Sequence, residues 1–456
     1  MAALAVLIVG GLFAKDRVPP YPQSVIGPAG QITDRATILK GQNTYQRYGL
    51  MDHGSVWGHG SLRGMDFSAL TLHKMGEFMR EFHARQEFQP PFASLGTGDQ
   101  ERIRATVIRE IKTNRYDPKT GTLELTQSQA FAFEELARFW QDLFRDGDPK
   151  TGFLPGTVPD EAQRKALSHF FFWTAWAAGT SRPGLSHTYT HSWPYDPTVG
   201  NQASPDALLW SILSILGLFV GLGAVVYVVH RYRFFYGETK GAQVGQKLLQ
   251  MPLEASQVSA AKYFVVAGLL FVVRAWMEYG AIQKAGGDFP YRWPLYFLTA
   301  SSFWNFLGAG VFGFMINLPI VNYYEHATYL TSNHGHTALF GVYGMLSLAL
   351  VLFSWRSLVE DRFWNDKILK VSFWGLNGGL FLMFLTVLLP VGCYQVWKVL
   401  TRGLWYARSS DFYNLPLVQA LGTWRMVPDL VIIVAGALPL TWFLVTTYPK
   451  IRRKTS

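Results

Sequence analysis

Cysteine is nearly absent from this chain: one residue, Cys393, in 456, and it lies inside an apolar run. That excludes a disulfide framework, a cysteine-ligated zinc and a C-x-x-C-H site for covalent haem attachment. Charge is also scarce, at 16% of residues, and acidic side chains are outnumbered by 41 Lys and Arg to 31 Asp and Glu. The basic residues cluster beside apolar segments instead of forming a continuous patch. Such clusters signal orientation in a bilayer and exclude nucleic acid as the natural partner. The polar residues crowd the first half and the long apolar runs the second, and the length alone suggests about two to four domains.

Met1–Ala14 is apolar but too short to span alone, and no basic n-region precedes it. It is read as an N-terminal membrane anchor whose beginning lies further upstream, not as a cleaved signal peptide. Residues 15–207 are polar and punctuated by Pro/Gly turns such as Pro90-Pro91 and Gly147-Asp148-Pro149. Periodicity predicts helices over Phe67–Phe88, Asp99–Asn114 and Thr126–Phe144, with a strand-like Thr122-Leu-Glu-Leu, so this is a mainly helical soluble domain. Residues 208–456 hold the spans: Leu208–Val229, Trp293–Val321, a helix opening at His334-Gly335-His336, Val371–Trp397 and Val427–Thr447. His230-Arg-Tyr-Arg after the first span and Lys450-Ile-Arg-Arg-Lys454 at the other end mark the cytoplasmic side, which puts residues 15–207 outside. Tyr263–Val273 is apolar over only 11 residues and at about 1.5 Å per residue crosses roughly half a hydrocarbon core. It reads as a re-entrant or interfacial piece, or as the scar of a missing region.

Ionisable residues at membrane depth are expensive and mark function by default. Successive helical positions turn by about 100°, so His334 and His336 point to opposite sides of one helix at nearly one depth. They cannot chelate a single metal together; each can hold a separate metal centre, imidazole being a common ligand. The other reading is two polar residues at a helix end, bonded to neighbours or water. Gly335 keeps the helix slim between them. Trp293, Trp304, Tyr323, Tyr324, Trp397 and Trp405 are expected as interfacial anchors.

Gly41-Gln-Asn-Thr-Tyr-Gln-Arg-Tyr-Gly-Leu-Met-Asp-His53, Trp57-Gly-His-Gly-Ser61, Phe171-Phe-Trp-Thr-Ala-Trp176 and Leu330-Thr-Ser-Asn-His-Gly-His-Thr-Ala-Leu-Phe-Gly-Val-Tyr-Gly344 together resemble the quinol-dependent nitric oxide reductases. So do Gly308-Ala-Gly-Val-Phe-Gly-Phe314, Arg182-Pro-Gly and Trp193-Pro-Tyr. These are bacterial members of the haem-copper oxidase superfamily that reduce two NO to N2O and water. The resemblance implies an all-α, polytopic inner-membrane protein whose periplasmic domain is cytochrome-c-like but haem-free, with quinol as electron donor. It implies that His334 ligates haem b3 and His336 ligates haem b. His53, His59, His187 and His191 then need no metal. A calcium ion is implied near Trp57–Ser61, although Leu62 stands where the family carries tyrosine. Asp429, in Arg425-Met-Val-Pro-Asp, matches a carboxylate that accepts a proton as quinol is oxidised; helix-start chemistry is the competing account. Glu325 and His326 either touch haem propionates or simply sit at the interface.

The departures are as specific. The family's core carries roughly twice as many helices, and around Val273–Glu278 the chain passes from an early helix to the end of a much later one. The second haem b histidine, the His-Leu-Trp-Val-Glu helix and the His-His pair that hold the non-haem iron occur nowhere in the sequence, and Glu278 is left as a remnant without chemistry. The resemblance therefore implies a nitric oxide reductase by descent that is not competent as this single chain, completed if at all by a homodimer or a complementing chain. The competing reading is a non-catalytic haem- or quinol-binding membrane protein (an electron carrier or NO sensor), or a degenerate product.

Overall fold

The computed structural model describes residue 9, residues 18–231 and residues 290–451. Apart from residue 9, the expected N-terminal anchor lies outside the described residues, as do Tyr263–Val273 and Glu278. Two compact units are present. The first holds residues 18–207 with Tyr323–Thr328 and Tyr394–Gln419; the second holds residues 208–231, 290–322, Tyr329–Cys393 and 420–451.

The first unit is built on five helices: α1 (Arg35–Arg47), α2 (Phe67–Phe88), α3 (Thr97–Lys112), α4 (Gln127–Asp146) and α5 (Glu161–Gly179). Their starts are written locally, because a short acceptor side chain satisfies an orphan N–H of the first turn. Asp34 accepts from Thr37 N at 2.8 Å, Asp66 from Ala69 N at 2.8 Å and Asp160 from Gln163 N at 2.7 Å. Thr126 and Gln129 form a reciprocal capping box. Phe67, Leu72, Met79, Leu136, Trp140, Phe144 and Phe171 close one aromatic-rich core. Helix α1 reaches α5 at Gly41, where a Cβ would stand 2.0 Å from the Ala166 carbonyl oxygen.

A small sheet accompanies the helices. Strands β1 (Ser24–Gly27) and β2 (Gly30–Asp34) form a hairpin. A short pair, β3 (Ser55–Val56) and β4 (His59–Gly60), stands apart. Strands β5 (Tyr116–Asp117) and β6 (Thr122–Glu124) complete the order β2-β1-β6-β5, with β6 parallel to β1.

Apolar helices supply the second unit: α6 (Pro205–Arg231), α7 (Arg292–Asn317), α8 (Tyr329–Leu358), α9 (Asp366–Arg402) and α10 (Pro416–Lys450), of which 205–207, 394–402 and 416–419 are counted with the first. Five of the described helices are long and apolar enough to cross a membrane, and the chain is an all-α polytopic membrane protein. Helix α7 stops at Asn317, earlier than the Val321 expected, because Leu318 is extended (ψ 119°) before Pro319, whose ring disfavours a helical predecessor. Helix α8 begins at Tyr329, earlier than the His334 expected, after Ala327 takes a left-handed φ of 67°. Trp293, Phe297, Trp304, Met345, Leu352, Leu380 and Phe443 form the core of the unit. Helices α9 and α10 meet glycine to glycine: a Cβ on Gly375 would lie 2.5 Å from the Gly436 nitrogen. Small residues permit such backbone approach where lipid offers no hydrophobic drive.

Three of the expected interfacial anchors are interior residues instead. Trp304 is buried and donates to Asn377 Oδ1 at 2.9 Å, Trp293 donates to Asp366 Oδ1 at 2.6 Å, and buried Tyr323 donates to Ser192 O at 2.7 Å. Each ring has found a polar partner for its N–H or O–H, which is what lets it be buried. Trp397 remains exposed.

Two buried histidines of the first unit are held in opposite ways. Burial drives His169, whose Nδ1 lies 2.7 Å from Thr33 Oγ1, down to about 4. Burial also opposes charge on His73, but hydrogen bonds with Asp196 (2.7 Å) and Glu77 (3.4 Å) outweigh it and raise this residue. A histidine depressed in the fold supplies stability that is complete above its unfolded value of 6.5 and is lost as pH falls toward 4. The His73 contribution runs the other way, complete below 6.5 and fading as pH rises through its folded value. Acidification from pH 6.5 to 4 is therefore expected to cost the chain about 3 kcal/mol through His169. Melting temperatures of wild type and His169→Gln across that range check this: the variant's curve should be flatter, and parallel curves would reject the assignment.

Candidate metal centre

His334 closes the α-helical opening turn of α8, and at His336 the helix widens into a π-type segment, His336–Gly344. Such segments are uncommon and concentrate at functional sites. The Nδ1 of His334 lies 2.8 Å from the Gly308 carbonyl of α7. The Nδ1 of His336 lies 2.8 Å from the Ser332 carbonyl, one turn back on α8 itself. A carbonyl only accepts, so in both rings the proton sits on Nδ1 and the lone pair on Nε2. This is the form in which histidine binds a metal, its second nitrogen fixed by a backbone oxygen. The rings face different neighbours: His334 packs on α7, while His336 Nε2 lies 3.3 Å from Arg425 Nη2 of α10.

Beside the histidines, glycine makes room on α7; further along, Gly341 of α8 makes room for Trp304 of α7, where a Cβ would stand 2.5 Å from the indole Cγ. A Cβ on Gly313 would stand 3.1 Å from His334 Cε1, and one on Gly308 would stand 2.6 Å from Thr337 Oγ1. A Cβ on Gly335 would meet nothing within 4 Å, so the slenderness expected there is not used by any described neighbour.

Asp429 is tied to the same place. Its Oδ2 lies 3.6 Å from Arg425 Nε, which makes Arg425 a bridge from the carboxylate to the His336 ring. Asp429 lies in the first turn of the segment Met426–Leu430, which follows a turn at Arg425, so the helix-start account of this carboxylate stands beside the proton-acceptor one. Sequence reasoning misses Arg425 as a functional residue, although its spacing of four residues from Asp429 is a charge-pair signal.

The donor set would suit haem iron, since His334 and His336 could each offer one Nε2. Loading His336 requires Arg425 to leave its lone pair. The other histidine among this unit's described residues, His230, is the penultimate residue of α6. Among the described residues no three His, Cys, Asp or Glu side chains cluster as a metal site.

In the first unit, the turn around Trp57–Leu62 is organised by a buried anion and a buried cation. Asp66 accepts from Ser55 Oγ (2.7 Å), Gly58 N (2.8 Å), Ser68 Oγ (2.5 Å) and Ala69 N. The guanidinium of fully buried Arg408 donates to Ser61 O (2.7 Å), Gly64 O (2.9 Å) and Ala327 O (3.0 Å). Leu62 O accepts from Tyr413 Oη at 2.7 Å. The carbonyls here already face a cation, so the loop as folded does not fit calcium. His326 packs edge-on against His59 (5.4 Å) and Trp193 (5.3 Å) and hydrogen-bonds the Trp57 carbonyl, while Glu325 is buried. His187 stacks on His191 at 4.7 Å, and His53 meets Phe153 at 4.4 Å.

Residues 22–195 match the family of the NorB cytochrome c-like domain of nitric oxide reductase. Residues 250–438 match the family of cytochrome c and quinol oxidase polypeptide I. A curated relative, the NorB polypeptide of the nitric oxide reductase of Stutzerimonas stutzeri, is 36% identical over 100 residues, which make up 20% of this chain and 20% of that protein. The matched stretch thus spans about a fifth of the relative's length.

Replacing Arg408 by alanine would strand three carbonyls, of which that of Ala327 is buried. The expected cost is about 3 kcal/mol or more, read as a lowered unfolding midpoint of the full chain. Arg408→Lys should fall between, since an ammonium keeps the charge but not the three-way fork.

Proposed function

We propose that the chain belongs to the nitric oxide reductase and haem-copper oxidase large-subunit family, descends from a quinol-driven nitric oxide reductase and keeps one histidine for each of two haems. The reaction of the complete enzyme balances as two NO and one quinol giving N2O, water and quinone. The observation that carries the reading is the pair of rings at His334 and His336, each with Nδ1 spent on a backbone carbonyl and Nε2 turned to a different side. Haem supplies redox-active iron there when bound, b3 on His334 and b on His336. The chain's own residues do the rest: they fix each imidazole's tautomer, orient it, and present Asp429 as the carboxylate that takes a proton from quinol. Arg425 pairs with Asp429 and ties it to the His336 side.

On this reading residues 15–207 form the extracytoplasmic, haem-free cytochrome-c-like domain and residues 208–456 the membrane core in a bacterial inner membrane. The basic stretches at His230–Arg233 and Lys450–Lys454 support that orientation. The sequence carries no His-His pair and no His-Leu-Trp-Val-Glu, so the site lacks ligands for the non-haem iron that would stabilise the charge developing on coupled NO. We therefore assign haem binding without turnover to this single chain. The same lack favours, as second reading, a haem- or quinol-binding membrane protein with no catalysis of its own.

Two measurements test this. In reduced-minus-oxidised spectra of purified chain, His334→Ala and His336→Ala should each abolish one haem's contribution; spectra unchanged in both variants would refute the ligand assignment. Metal analysis should find no iron beyond haem, and NO uptake with a quinol donor should be at background. Extra iron together with turnover would refute the claim that the chain is incomplete.

A further inference from the structure

Away from the histidines, the second unit holds a cavity of about 340 Å³ where the first turns of α7 and α9 meet. That volume is in the range of small-molecule sites, about 300–1,000 Å³. Its polar rim is Arg292, Asp366, Lys367 and Lys370, and its apolar wall includes Trp293, Tyr296 and Trp374. Asp366 fixes the rim by pairing with the Arg292 guanidinium and accepting from Trp293 Nε1. Nearby carboxylates are also matched to arginines: Glu360 with Arg362 at 2.9 Å and Asp361 with Arg356 at 2.6 Å. Lys367 and Lys370 are exposed and have no carboxylate partner among the described residues.

The order of residues along α9 is informative. Lys367, Lys370 and Trp374 follow the three-and-four spacing that places side chains on one helix face. Two cations stand at the start of the span, and the indole lies about 6 Å deeper than the second. Trp374 is 61% exposed, so the deeper part of the site presents an aromatic surface while the outer part presents unpaired positive charge. The N-termini of α7 and α9 add their positive dipole ends to the same rim. An anion with an apolar tail satisfies both parts; a free metal ion or a neutral lipid satisfies at most one.

We propose that this cavity binds a phosphate ester, specifically the headgroup of an anionic phospholipid, with Lys367 and Lys370 on the phosphate and Trp374 against the first part of the acyl chain. Basic residues at a membrane surface each contribute about 1 kcal/mol to anionic lipid binding, so removing both lysines weakens it about thirtyfold. The test is native mass spectrometry of the full chain in detergent, titrated with phosphatidylglycerol or phosphatidylcholine. Phosphatidylglycerol should bind more tightly, Lys367→Gln/Lys370→Gln should erase that preference with an unchanged melting temperature, and Trp374→Ala should weaken both lipids. Inorganic phosphate should compete poorly; if it displaces phosphatidylglycerol at equal concentration, the site takes free phosphate and the lipid assignment fails. Equal binding of the two lipids to wild type, or a double variant with undiminished phosphatidylglycerol binding, overturns the proposal outright.

Discussion

Two backbone carbonyls, Gly308 O and Ser332 O, decide what the membrane unit can do. Each takes the Nδ1 proton of one imidazole. A histidine so held has one tautomer, one orientation and one unprotonated nitrogen, which in His336 faces Arg425. Without those bonds, the two rings would be ordinary polar side chains at the head of an apolar helix. The bond to Gly308 also requires α7 to come close, and it is the missing side chains of Gly308 and Gly313 that allow it. Helix packing and ligand chemistry are thus one constraint: whatever pushes α7 away from α8 also frees His334 to rotate.

The first unit is ordered by buried charge in a comparable way. Asp66 is surrounded by N–H and O–H donors and Arg408 by carbonyl acceptors, and neither is paired with the other's charge. Ions buried like this are tolerated only when every polar atom is answered. Their partners come from the Gly-rich turn and from residues more than three hundred positions away, as with Arg408 and Ser61. The turn's shape therefore depends on the later chain as much as on its own glycines.

Much of this is legible in the sequence, for identifiable reasons. Phe67–Phe88 can be read with its observed bounds because Asp66 before it and Gln89 after it sit at clear breaks. Helix α5 cannot, because Phe170-Phe-Phe-Trp is apolar on every side and leaves no stripe to detect. Strands β1 and β2 escape notice because runs of four and five residues beside glycine carry little periodic signal. The two histidines stand out because ionisable groups are rare in apolar runs. Arg425 and Arg408 do not, since their contacts cross 89 and 347 positions and end largely on atoms that every residue possesses.

The wide turns of the spanning helices carry a further consequence. Asn305–Phe312, His336–Gly344, Phe384–Leu388 and Val431–Ala437 are all π-type, and each accommodates more chain per turn than an α-helix does. Loss of a single codon from a plain α-helix swings everything beyond it by about 100°. Within 336–344 the same loss would let the wide turns tighten to α geometry and absorb the missing residue locally, so that Met345, Ala349 and Leu352 keep their side of the helix. Reading-frame-preserving deletions are therefore cushioned in these short windows and disruptive elsewhere along a span.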